Sequence, residues 1–153
     1  THETAQMCLL NGRKYTVALM REGERHFRIS SDIGENAPIP WTASGRLLLG
    51  HLSDQQIVDL IDPEDFILPD GQRLPLETFL AQIRQATVDG FFSFDSVADT
   101  FTHCFAAPVR DAQGISIATL CIVAPRADAS NHYNDYRRVL IESANNLARR
   151  INE

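Results

Sequence analysis

The sequence predicts an α+β domain: an antiparallel sheet of about six strands with helices packed on it, in the order βββαααβββα. Three observations carry this. Short strand-like segments at both ends of the chain are joined by turns rich in Gly, Asn and Asp. The middle and the C terminus carry apolar residues at helical spacing. Hairpins and helices are segregated along the chain rather than alternating, which argues against a parallel sheet.

The first strand runs over Ala5 to Leu10 and is followed by Asn11-Gly12, two residues that tolerate positive φ and so mark a tight hairpin. The second strand, Lys14 to Arg21, alternates Tyr15, Val17 and Leu19 with Thr16, Ala18 and Met20. The third is expected over His26 to Ser30, after a turn at Glu22-Gly23-Glu24. Pro38 and Pro40 break the strand pattern, and Thr42 is placed to cap a helix from Ala43 to His51. Ser53 with Gln56 has the spacing of a capping box and opens a second helix, with Ile57, Leu60 and Ile61 as its apolar stripe. A third helix spans about Leu76 to Val88, with Phe79, Leu80, Ile83 and Ala86 on one side and Gly90 as its stop. Strands follow over Phe91 to Phe94, His103 to Arg110 and Ile115 to Ala124, the last two joined by the turn Asp111-Ala112-Gln113-Gly114. The closing helix is expected from Asn134 to Ile151, burying Tyr136, Leu140, Ala144, Leu147 and Ile151. The last strand is apolar on both faces, so both faces are covered, one of them by loops, a helix or a ligand pocket.

Composition narrows the function. At 153 residues and 44% hydrophobic content the chain suits one domain that folds without disulfides or metal. No apolar stretch approaches the roughly 20 residues that span a bilayer, and no signal peptide is visible. The start at Thr1, running straight into a strand, suggests a piece of a longer protein. Three cysteines without framework spacing suit a reducing cytosol. A net charge of −6 makes the domain itself a poor binder of nucleic acid, since that affinity comes largely from neutralised phosphates. The five histidines show no metal-ligand spacing. There is no nucleotide-binding or nucleophile-elbow motif, and nothing assembles a nucleophile with a base, so no enzymatic activity is expected.

Two places could hold a ligand. After the prolines, Ala43, Ser44 and Gly45 open a helix whose first amides have no internal partner, an arrangement suited to an anion. The same small residues would equally serve close packing on the sheet. Asp95, after Phe91-Phe92-Ser93-Phe94, could receive a ligand hydroxyl or simply cap a turn. Cys104 and Cys121 read as small buried hydrophobes, with His103 projecting to the face opposite Cys104.

Three stretches together resemble a known family. PIPWTASGRLLLGHLSDQQIVDLI has a Pro-rich lead, a small-residue cluster and a Gly-Arg pair at a helix start. SFDSVADTFTHCFAAPVRDAQGISIATLCIVAP has an aromatic-Asp element, a Cys-x-Ala-Ala-Pro-Val strand, an Asp-x-x-Gly turn and a strand ending in Pro. HETAQMCLLNGRKYTVALM is similar to a Glu-Thr-containing first hairpin. In order and spacing they resemble the effector-binding domain of IclR-type bacterial transcriptional regulators. That resemblance implies a GAF-like fold, a single effector-binding and oligomerisation domain over residues 1–153, and a winged helix-turn-helix and linker helix N-terminal to it that touch the DNA. It implies homodimers or tetramers and a small organic or sugar acid as effector; no cofactor, metal or membrane partner is expected from the sequence. The pocket it implies is lined by Ala43 and Ser44, by Asp95, Thr102, Cys104, Cys121 and Val123, and by His26 and Ile29 on the third strand. It tips the helix start toward an anion site. Cys121 and Val123, where some members carry hydroxyls, and the bulky Trp41 make that pocket less polar and smaller. The alternative is a GAF-like small-molecule sensor from another signalling protein.

Overall fold

The computed structural model describes residues 1–25 and 32–153. Its elements are β1 (Thr4–Asn11), β2 (Lys14–Arg21), β3 (Asn36–Ala37), α1 (Ala43–Leu48), α2 (Asp54–Leu60), α3 (Leu76–Asp89), β4 (Phe92–Asp95), β5 (Thr102–Arg110), β6 (Ser116–Pro125) and α4 (Arg126–Ile151). The strands form one antiparallel sheet in the order β3-β2-β1-β6-β5-β4. The order βββαααβββα therefore holds. The strand expected over His26 to Ser30, and with it His26 and Ile29, lies outside the described residues. The third described strand is the two-residue β3, where the sequence offered only a proline break.

Local signals set most boundaries. The β1–β2 loop is Gly12-Arg13 rather than Asn11-Gly12: Asn11 pairs with Lys14, and only Gly12 takes positive φ, at 62°. Thr42 caps α1 by accepting from the Gly45 amide at 2.9 Å. Ser53 and Gln56 form both halves of a capping box on α2. Gly90 ends α3 in the left-handed region. All six residues of α1 are buried, as befits a helix that packs on every side.

The sheet carries a core on each face. On one side α1, α2 and α3 cover Cys8, Val17, Ala106 and Cys121, around the buried rings and chains of Ile39, Leu47, Phe79 and Ile83. On the other, α4 lies on β5 and β6, burying Phe105, Val109, Ile122 and Ala124 against Tyr136, Leu140 and Ala144. Both faces of β6 are thus covered, as its unbroken apolar run requires. Two expectations for α4 need correction. It starts at Arg126, eight residues before Asn134, because its opening turns bury only Ala129 and so show no wide apolar stripe. Ile151, expected inside, is 51% exposed, being the last residue of α4, beyond the buried positions Leu140 and Ala144.

Candidate functional site

A cavity of about 120 Å³ lies between the start of α1 and the face of the sheet opposite α4. Ala43 and Ser44 close it on the helix side. Cys104, Cys121 and Val123 form its floor on β5 and β6, and Thr102 with the loop after β4 forms its rim. Six of the residues singled out from the sequence therefore meet at one hollow.

The approach to α1 is rigid for identifiable reasons. Ile39–Trp41 is a 3-10 turn with proline inside it. The Thr42 hydroxyl donates to the Ile39 carbonyl at 2.9 Å while accepting from Gly45. A side chain at residue 45 would place its Cβ 2.3 Å from the Ile39 oxygen, so only glycine lets turn and helix meet. The Trp41 indole donates to the Ile67 carbonyl at 3.1 Å. Arg46, 2% exposed, reaches back to the Pro40 and Thr42 carbonyls at 2.6 and 2.7 Å and lies over Phe79, Phe92 and Phe94. Burial draws its guanidinium down to about 9, still protonated at neutral pH.

Ser44 is buried and hydrogen-bonded within the protein. Thr119 Oγ1 donates to it at 2.6 Å, and Cys121 Sγ lies 3.0 Å away. Cys121 in turn is 3.9 Å from Cys8, whose thiol pairs with the Tyr15 hydroxyl at 2.9 Å. The hydrogen bond with Cys121 and then burial raise the Cys8 thiol well above its ordinary range. Burial pushes Cys104 up to about 12. Thiols raised in this way are poor nucleophiles; Cys121 is instead lowered, first by its hydrogen bond with Cys8, and is buried.

Asp95 is not on this wall. It pairs with His103, which pairs with Ala124, whereas Phe94 pairs with Cys104 and Cys104 with Val123. Strand alternation therefore puts Asp95 and His103 on the α4 face and Cys104 on the cavity face. There the Asp95 carboxylate, 2.8 Å from His103 Nδ1, is held below the usual carboxylate range first by that hydrogen bond. The carboxylate at the rim is Asp99. One of its oxygens accepts from the amides of Phe101 and Thr102, and the other accepts from the Thr102 hydroxyl at 2.6 Å. Burial works against its charge, but the Thr102 hydroxyl and the two amides outweigh it and hold Asp99 below the ordinary range. Arg126, the first residue of α4, spans the sheet end and donates to the Ser96, Asp99 and Thr102 carbonyls at 2.7, 2.9 and 3.0 Å.

Sequence reasoning missed Gln6, Tyr15, Ala37, Ser96, Ala98 and Asp99 as lining residues. The Asp-x-x-Thr spacing of Asp99 and Thr102 was the available sign of a self-capped turn. Among the described residues, no three His, Cys, Asp or Glu side chains group as a metal site, and no helix is long and apolar enough to cross a membrane.

Comparison with known proteins identifies the fold and the family. The chain is 27% identical over 159 aligned positions to the HTH-type transcriptional regulator TtgV of Pseudomonas putida (strain DOT-T1E), the match covering 97% of the chain and 56% of TtgV. It spans little more than half the length of that relative. Its fold is that of the Thermotoga maritima IclR (TM-score 0.85, 20% identity, 100% of this chain and 63% of that one). It is also that of the PobR inducer-binding domain from Acinetobacter, solved with 3-hydroxybenzoic acid (TM-score 0.81, 19% identity, 97% and 89%). The family model described as bacterial transcriptional regulator IclR C-terminal matches residues 1–152. With that match the sensor of another signalling system is not favoured, and the chain belongs to the IclR C-terminal family, the effector-binding, non-enzymatic part of bacterial transcriptional regulators.

Proposed function

We propose that the cavity beside α1 is the effector site of this domain, and that its occupancy changes DNA binding by a helix-turn-helix segment of the whole regulator. The observation that carries this reading is the hollow itself: about 120 Å³ between the start of α1 and the sheet, with the small side chains of Ala43, Ser44, Cys104 and Cys121 on its wall. Ala43, Ser44, Thr102, Cys104, Cys121 and Val123 are its working wall, with Asp99 at the rim. The likeness to an inducer-binding domain supports the reading at the level of fold. The negative net charge supports leaving DNA contact to another segment. Homodimers or tetramers in the cytoplasm would carry the signal, the effector favouring one spacing of the DNA-reading segments over another. A coupling of about 1–3 kcal/mol would change operator affinity roughly 5–150-fold.

The test is Ala98→Trp, placed at the exposed rim so that the indole blocks the mouth without entering the core. In a thermal-shift screen of small organic molecules, a cognate ligand at a hundredfold excess over Kd stabilises the native chain by about 2.7 kcal/mol. The variant is expected to melt normally without ligand and to gain nothing from it. Undiminished stabilisation of the variant would remove this cavity as the site.

A further inference from the structure

The charge of the wall restricts the effector further, given that the cavity is the effector site. Among its described lining residues the charged side chain is Asp99, and no Lys, Arg or His contributes. Among the described residues, two cations touch residues that line the cavity, and both donate to backbone carbonyls there. Arg126 holds the three carbonyls of the rim loop. Arg46 holds the Pro40 and Thr42 carbonyls among aromatic rings. The start of α1 adds little for an anion, being six residues long with its Gly45 amide already capped by Thr42. A ligand carboxylate entering here would lose its water and face the Asp99 carboxylate, which the Thr102 hydroxyl, two amides and the charge of Arg126 behind the loop keep ionised against the cost of burial.

The same carboxylate suits a donor. The Asp99 oxygen that accepts from Thr102 makes one hydrogen bond and can accept another. Opposite it, Cys104, Cys121, Val123, Ala43 and Ala37 offer a compact, weakly polar bed. An apolar cavity of about 150 Å³ holds a benzene, so one near 120 Å³ suits a body of about four to six carbons. An ammonium head would pair with Asp99 at the half-buried rim, at a larger desolvation cost than a hydroxyl.

We propose that the site takes an uncharged, hydroxyl-bearing molecule with a small apolar body, the hydroxyl donating to Asp99, and that it disfavours the organic and sugar acids which the family resemblance implies. The experiment compares butan-1-ol, butyrate and butylammonium on the 153-residue chain by saturation-transfer NMR and melting, at matched ionic strength. Probes of this size bind weakly, so each is used up to about 50 mM. Butan-1-ol is expected to bind about tenfold or more tighter than butyrate, a difference of about 1.4 kcal/mol. Asp99→Asn is expected to narrow that ratio by strengthening butyrate. Butyrate binding as well as the alcohol, butylammonium binding best, or no binding by the alcohol each overturns the proposal. Methyl chemical shifts of Val123 and Ala98 locate the probe without any variant. A probe that leaves those methyls unmoved and still binds Ala98→Trp defeats the reading of the cavity as the site. A probe that moves them and is best bound as butyrate defeats only the ligand class.

Discussion

At the scale of single residues the chemistry of the site is set by burial. Cys104 lies on the wall with its thiol pushed up to about 12 by desolvation. At pH 8 that leaves a thiolate fraction of about one in ten thousand, against roughly a quarter for a free cysteine. Alkylation of Cys104 in the folded chain is therefore expected to run about a thousandfold slower than that of free cysteine. Cys8, raised likewise and locked with Tyr15, should follow it; Cys121, although its thiol is lowered by the hydrogen bond with Cys8, is shielded by burial, so all three react only as the chain unfolds. Thiol release followed with a chromogenic disulfide at rising urea checks this. One cysteine reacting fast in the native chain would restore the thiol chemistry that the packing here argues against. Arg46 makes the complementary point. Its charge is tolerated inside because two carbonyls and three aromatic faces replace its water, and in doing so it fixes the backbone from which Ala43 and Ser44 face the cavity.

At the scale of elements, the rim loop between β4 and β5 depends on one side chain from another element. Arg126 is the first residue of α4 and makes three charge-assisted bonds to loop carbonyls, while its own amide donates to Phe101. Arg126→Ala is expected to cost about 2 kcal/mol in urea unfolding, since hydrogen bonds to charged groups contribute about 1.5–3 kcal/mol. The amides of Ser96 and Thr102 should exchange faster while those of central β5 stay protected. Uniform protection across loop and strand would mean that the loop holds without the arginine. This element also marks the limit of what the sequence disclosed. Thr42, the Ser53–Gln56 pair and Gly90 were legible because a cap is a matter of a few neighbouring residues. Cys104, Cys121 and Val123 came from the family resemblance, and the strand pairing sets all three on one face of the sheet. Asp95 does not join them, because β4 runs to Asp95 instead of stopping at Phe94, so that Asp95 takes the face opposite Phe94 and Cys104. Asp99 sits in a loop whose shape comes from Arg126, a contact across 27 residues that no local pattern encodes.

At the scale of the whole molecule, the two ends of the chain are fastened by a buried acid. Glu3, at the head of β1, has a fully buried side chain and accepts from Arg25 at 2.6 Å and from the Tyr136 hydroxyl at 2.9 Å; Arg25 also pairs with Asp128. The first strand, the chain after β2 and the final helix thus meet at one carboxylate, so this point couples the sheet to α4. Burial, and then the bond to Glu3, raise the Tyr136 hydroxyl from 10.0 to about 12. Between those values the unfolded chain sheds this proton and the folded chain keeps it. The folded state then binds more protons, and stability falls as pH rises through that interval. Tyr136→Phe lacks the group, so it should be less stable than the native chain at pH 9 but lose less between pH 10 and 12. The gap should close by up to about 1.4 kcal/mol per pH unit. Tyr15, also raised by burial, contributes to both profiles alike and drops out of the difference. Urea unfolding of the two chains at pH 9, 10.5 and 11.5 measures the slopes. Parallel profiles would mean that Tyr136 ionises in the folded chain as it does in the unfolded one, and that its hydroxyl adds nothing to the hold on Glu3.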